Sequence, residues 1–430
     1  MSVIDDLLKT VSLPKMTTIR QHFQSSKVVD IDLAVNAAFS EENGKLNWPS
    51  GKNVAVVVGS RGIADIHEIT KITVSVLRAK GYDPFVIPGM GSHGGATADG
   101  QKEVLASLGV TEEFIGAPIR SSMDVVQIGE LPNGLPIYVD KLAYAADGIV
   151  LINRIKPHTA FRGKYESGIV KMIAIGLGKQ KGAESYHKLG FGHMEEHIVR
   201  VANEILSRHK IVCGVAVIEN AYDQVTKIEV LPADEILERE PALLEFAKQS
   251  MPRILADDID VLVVDEIGKN ISGDGMDPNI TGRYGTEFAI GGPNVTRIAV
   301  LRLTEKTHGN ANGLGVADTT TKRCFKEVDF EKTYPNALTS TVVSLVRAPM
   351  ILENDLRAIQ AAIKTANVLY DDQVRVVHIR TTLSLDVIRV SESLLPVVVN
   401  RPDVEVLSQP SPWPFGESGE LDFAGCWSSE

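Results

Sequence analysis

Short apolar, β-branched runs recur along the chain at residues 54–58, 84–88, 148–153, 212–218, 260–264, 296–301 and 374–379. Several lack alternation between apolar and polar positions, the pattern of strands buried on both faces. Helical patterns lie between them. Residues 65–80 set Ile66, Ile69, Ile72 and Val76 at helical spacing and stop before Gly81, a residue suited to the left-handed turn that ends a helix. Further helices are predicted over 98–108, 194–207 and 234–250. Strand–helix alternation with short Gly/Pro-rich connections reads as α/β: two α/β domains with largely parallel or mixed sheets.

The charged segment 234–250 and the Met251-Pro252 step read as a spacer, with a fresh strand opening at residue 260. The expected division is therefore 1–255, 256–400 and a tail or strap over 401–430. Trp413, Phe415 and Trp427 favour docking of that tail, because a solvated segment rarely carries so many large apolar groups.

Composition narrows the function classes. The 430 residues carry 44 Lys and Arg against 55 Asp and Glu, a net charge of −11, with no long basic run. Nucleic-acid affinity rests on clustered cations, so a phosphate-backbone binder is not expected. Aromatics make up only 6%, too few for platforms that stack single strands. No apolar stretch approaches the ~20 residues of a membrane span. The N-terminus carries acids where a signal peptide needs bases, and the three cysteines (Cys213, Cys324, Cys426) lie far apart. A cytoplasmic protein without membrane contact is expected, and a homo-oligomer is compatible with this composition.

Four segments could carry chemistry. Gly89-Met-Gly91-Ser-His93-Gly94-Gly95 follows a strand and precedes a helix, so backbone can approach a ligand and His93 stands on a glycine loop. As a dinucleotide fingerprint it is weak, because no acid-ended strand follows about 20 residues on. The second segment is the densest. From Arg154 to Lys181 there are seven Lys or Arg and one acid, in a chain that is otherwise net negative. That reversal suits a small anion, a carboxylate or phosphate. It contains Lys156, His158, Ser167, Gly168 and Lys171, and Lys171 precedes Met-Ile-Ala-Ile, so its stem is expected to be partly buried and its amine able to act as a nucleophile.

In the third segment, His193 and His197 share a helix face, but the sequence between them is Met-Glu-Glu, without the acid beside the first histidine that a zinc protease uses. His187, in a glycine-flanked loop, is the better candidate. The fourth is the loop over 265–283, with Lys269, Asp277, Asn279 and Arg283 as candidates for holding a polyhydroxylated or carboxylated small molecule.

At these residues the chain resembles the nickel-dependent lactate racemase superfamily, over roughly residues 30–380. The resemblance implies an isomerase that inverts C2 of a 2-hydroxy acid, with its active site in an interdomain cleft. It assigns Arg61 to the substrate carboxylate and His93 and His158 to acid/base roles on opposite sides of C2. It joins Lys171, in the Ser167-Gly168-Ile-Val-Lys171 run, covalently to a nickel-pincer nucleotide and makes His187 the nickel ligand. The lysine cluster, Lys156 included, would hold the nucleotide phosphate, and separate maturation enzymes would build the cofactor. The family's acid just before the arginine is replaced by Val58-Gly59-Ser60, and the 268–283 loop is unlike that of the lactate enzymes. Both departures move the expected substrate from lactate toward a longer, more hydroxylated acid such as an aldonate. Competing readings are an NAD-type dehydrogenase, a metal hydrolase acting on a small carboxylate, and a sugar-acid binding protein without catalysis.

Overall fold

A computed structural model describes residues 3–60, 62–208 and 210–427. The chain divides into two compact units, one formed by Gln24–Met251 and the other by Met1–Phe23 together with Pro252–Glu430.

The Gln24–Met251 unit is built on a five-stranded sheet in the spatial order Asp83–Pro88, Asn53–Val58, Gly148–Arg154, Ile211–Glu219 and Val225–Pro232. The first four strands are parallel and the last is antiparallel. Val54 through Val58 are all fully buried, which is why this strand shows no alternation. The helix Ile66–Ala79 buries Ile66, Ile69, Thr73 and Leu77 against the sheet. It ends as expected at Gly81, whose φ is +89°; Gly81 N–H donates to Arg78 O and Tyr82 N–H to Leu77 O, the paired bonds of a left-handed C-terminal cap.

The second unit holds an eight-stranded sheet. Its parallel part runs Met350–Leu352, Thr319–Thr321, Asn294–Leu303, Asp258–Ile267 and Val376–Ile379, and Val387–Ser391, Met16–Gln21 and Val404–Val406 extend it antiparallel. The N-terminal segment is where this division differs from the expected one. Met16–Gln21 pairs with strands from the far end of the chain, so residues 1–23 belong with the C-terminal unit.

Nor is the tail a separate strap. Trp413, Leu421, Cys426 and Trp427 lie in the core with Val261, Val263 and Ala358. The Trp413 indole donates to Pro14 O at 3.0 Å and the Trp427 indole to Asp265 Oδ2 at 3.0 Å. The segment read as a spacer is the helix Ile236–Ser250, which packs into the Gln24–Met251 unit with Glu240 buried.

Candidate active site

Three parallel strands of the Gln24–Met251 unit deliver chemistry at their carboxyl ends, where open α/β sheets bind ligands. Asn53–Val58 runs into Gly59 and Ser60. Its neighbour on one side, Asp83–Pro88, runs into the His93 loop, and its neighbour on the other, Gly148–Arg154, into the His158 loop. The two histidine loops thus leave the sheet from strands that flank the one leading to Ser60, and those strands are two strand spacings or about 10 Å apart. Arg61, the expected carboxylate clamp, lies outside the described residues.

His93 is partly buried, and Ser60 Oγ lies 3.1 Å from its Nδ1. His158 stands in a loop closed by an antiparallel bridge: Lys156 N–H donates to Ser167 O at 2.9 Å and Ser167 N–H to Lys156 O at 3.2 Å. Lys156 and Ser167 thereby contribute their backbones to this closure. Inside the loop the buried Glu166 carboxylate accepts from His158 N–H at 2.7 Å and from Arg162 at 3.2 Å, and it pairs with Lys248 at 3.1 Å. Glu166 is the single acid of the basic stretch, and its position there is the sequence signal for this anchor.

Lys171 closes a short helical turn, Ile169–Lys171, and its Nζ lies 2.6 Å from His158 Nε2. The Ala160 N–H donates to His158 Nδ1 at 3.0 Å. A ring whose Nδ1 accepts carries its proton on Nε2, so the contact directs that proton at the lysine nitrogen. The next residues, Met172–Gly176, form a π-helical turn, a distortion that recurs at functional sites.

Two features steady this turn. Gly168 is the position where a Cβ would come within 2.4 Å of Glu240 Oε1. Glu240, fully buried, takes the Val170 N–H on Oε2 at 2.9 Å, capping the turn from below. Burial pushes its carboxyl up to about 7 despite the Val170 and Ile169 N–H groups, which act the other way. Composition could not reveal this residue, since it sits among exposed acids on a helix that reads as a charged spacer.

His187 ends the helix Lys179–His187. Burial, with the Lys171 charge as a second cause, pulls its pKa down to about 4, so the ring is neutral at physiological pH. Its Nδ1 is buried and has no hydrogen-bond partner among the described residues. Phe191 lies 5.6 Å from the His187 ring and 6.1 Å from that of His158, while Phe161 lies 4.4 Å from His158. The two phenylalanines make this an apolar surround in which a polar atom without a partner is costly. His187 therefore suits a metal ion or an electrophile bound from outside. Among the described residues no group of three or more His, Cys, Asp or Glu could hold a metal alone.

Other expectations need correction. Lys179, counted in the phosphate-holding cluster, is fully buried and donates to Pro88 O at 2.6 Å and Gln101 Oε1 at 3.0 Å while pairing with Asp140 at 3.1 Å. It has no N–H left for a phosphate. His193, by contrast, is exposed and faces Glu196 at 3.5 Å, and His197 meets the Asn133 amide at 3.2 Å.

In the other unit, the 268–283 loop follows the carboxyl end of Asp258–Ile267. Lys269 Nζ donates to Gly273 O at 2.7 Å, and Asp277 Oδ1 caps the turn Pro278–Thr281 by accepting from the backbone and side-chain amides of Asn279. Arg283 is a structural strut. Its guanidinium binds Asp318 at 2.5 Å and the carbonyls of Val295, Thr296 and Val316. A cavity of about 650 Å³ lined by Asn47, Asp147, Lys210 and Asp234 opens at the amino ends of the first unit's strands, the edge opposite the histidines.

Residues 14–212 match the family model of the lactate racemase N-terminal domain. No curated protein matches the chain. A solved structure, the lactate racemase apoprotein from Thermoanaerobacterium thermosaccharolyticum, is similar at 14% identity with a TM-score of 0.47, covering 80% of this chain and 86% of that one. The match over residues 14–212 spans His93, His158, Lys171 and His187 alike, and this part of the chain is similar to the lactate racemase N-terminal domain.

Proposed function

We propose that the protein is a racemase or epimerase that inverts C2 of a 2-hydroxy acid. The observation that carries this reading is the 2.6 Å contact between His158 and Lys171 within a lactate racemase N-terminal domain. It joins a base of fixed tautomer to an amine able to form a covalent bond.

A C–H next to a carboxylate is too weakly acidic for a histidine to remove unaided, so inversion needs an electron acceptor at C2. A nickel-pincer nucleotide would supply a hydride acceptor there. The residues fit such a group. Lys171 offers a side-chain nitrogen for attachment, and His187 offers one buried ring nitrogen that lacks a partner among the described residues. With a single histidine available from this cluster, the remaining metal donors would come from the organic group.

The chain's own task is then to handle one proton from two sides. His93 and His158, in loops that follow the strands flanking a third, would each hold or return the hydroxyl proton of one enantiomer. With the group held at Lys171, the lysine nitrogen would no longer engage His158, and His158 Nε2 would face substrate. Arg61 would bind the carboxylate.

The test is a panel of single-enantiomer 2-hydroxy acids, from lactate to aldonates, incubated with protein made alongside nickel and the cofactor-building enzymes. Inversion at C2 of at least one, read by chiral chromatography, supports the function; loss of the substrate to oxidation with soluble NAD would favour the dehydrogenase.

A further inference from the structure

The His93 loop has little means of holding itself in place. Gly89, Gly91, Gly94 and Gly95 give it no side chains to pack, and Gly94 and Gly95 both adopt φ of +63°. Its position is instead imposed from below by three buried residues distant in sequence. The Gln101 amide nitrogen lies within hydrogen-bond reach of three loop carbonyls, Gly91 O at 2.9 Å, Met90 O at 3.2 Å and His93 O at 3.4 Å. The Gln101 oxygen accepts from Lys179 Nζ, which also donates to Pro88 O where the strand enters the loop. Asp140 closes the chain of bonds, holding Lys179 with Oδ2 and capping the turn Lys141–Ala145 with Oδ1.

An ammonium is expensive to bury, and burial lowers the Lys179 pKa while Asp140 opposes that shift. Its backbone is also unfavourable, with φ of +52° at a residue that is not glycine. Simple packing needs neither feature. What they achieve is a link between the two halves of the site. Lys179 lies just beyond the π-helical turn that begins after Lys171, and Asp140 N–H bonds Leu177 O at the end of that turn. The His93 loop rests directly on the same segment: a Cβ at Gly176 would approach Gly89 O to 3.0 Å, and one at Gly91 would approach Ala183 Cβ to 3.1 Å.

We infer that Asp140, Lys179 and Gln101 form a positioning unit that locks the His93 loop to the Lys171 segment and so sets His93 relative to Lys171 and His158. The inference rests on the proposed function for what His93 does, but not for how it is held. None of the three is a catalytic residue, since their polar atoms are spent on one another and on backbone.

The test uses two variants. Q101M keeps the side-chain volume and removes the donors to the loop carbonyls, leaving Lys179 bonded to Asp140 and Pro88. K179M/D140N removes both buried charges together, avoiding the unpaired carboxylate that K179M alone would leave, and keeps the Oδ1 cap. The first readout needs no cofactor: the rate at which diethyl pyrocarbonate modifies His93, followed by peptide mass and referenced to the exposed His22 of the same molecules. Both variants should modify His93 several-fold faster than the parent, because local opening exposes the ring nitrogen. In loaded protein, kcat should fall at least about 10-fold with KM little changed, as expected for a misplaced acid/base group. Parent-like His93 reactivity in folded variants overturns the inference, as does a change confined to KM. Should Q101M fail to fold, K179M/D140N decides. If the parent inverts no 2-hydroxy acid, the functional reading fails, and the His93 reactivities still decide the positioning claim.

Discussion

Nζ of Lys171 and Nε2 of His158 are 2.6 Å apart, and the Ala160 N–H on the other ring nitrogen fixes which of the two carries the proton. In the proposed scheme one histidine would serve two consecutive purposes, aiming the Lys171 nitrogen before attachment and acting as an acid/base group afterwards. The loop that holds it is braced by Glu166, Arg162 and Lys248, none of which needs to touch substrate.

Removing either acid/base group should be severe. H93A and H158A are each expected to lower inversion of the preferred 2-hydroxy acid by about 10²–10⁴-fold, the usual contribution of a positioned base. Chiral analysis of product over time measures this. Full activity in either variant would eliminate the two-base scheme.

Glu240 makes a pH prediction about stability. Its folded pKa, about 7, lies above the 4.5 of the unfolded chain, so the folded state binds the proton more tightly. Its effect is absent below about pH 4.5, grows as the unfolded carboxyl ionises first, and levels off above about pH 7. The stability of E240Q relative to the parent should therefore rise across that window, by up to roughly 3 kcal/mol at ~1.4 kcal/mol per pKa unit. Urea unfolding of both proteins at several pH values measures the difference, and a flat difference would show that the carboxyl is not held out of water.

Glu166 should matter chiefly for the fold of its loop. Its side chain is fully buried between Arg162 and Lys248. Breaking such a cluster from one side strands the cations, so E166A should lose on the order of 3 kcal/mol of stability. Thermal or denaturant unfolding reads this directly, and a change below 1 kcal/mol would mean that solvent reaches the pair.

The tail is expected to be indispensable. Trp413 is buried, bonded to Pro14 and stacked 5.0 Å from the His378 ring, while Trp427 covers the other side of that ring at 4.9 Å. W413A should cost about 3–5 kcal/mol. Stability close to the parent's, measured by denaturant unfolding, would show that the tail is only loosely applied.

Much of this was legible in the sequence, and the exceptions share a cause. The fully buried strands announced themselves because a parallel sheet covered on both faces has nothing but apolar residues to show. His158 and Lys171 stood out as a local reversal of charge. Met16–Gln21 did not, because its partners, Val387–Ser391 and Val404–Val406, lie at the other end of the chain and no local pattern encodes such pairing. Lys179, counted with the phosphate-holding lysines, and Glu240, on a helix that reads as a charged spacer, escape the sequence for a related reason. A buried ion looks like an exposed one until its partners, Asp140 and Gln101 or the Val170 N–H, are brought to it by the fold.

The most direct test of the account is the mass of the peptide carrying Lys171, taken from protein produced together with nickel and the cofactor-building enzymes. The account predicts a nucleotide-sized adduct on Lys171 that disappears in the K171A variant. An unmodified Lys171 in protein from that same preparation, with no nickel bound, would contradict it.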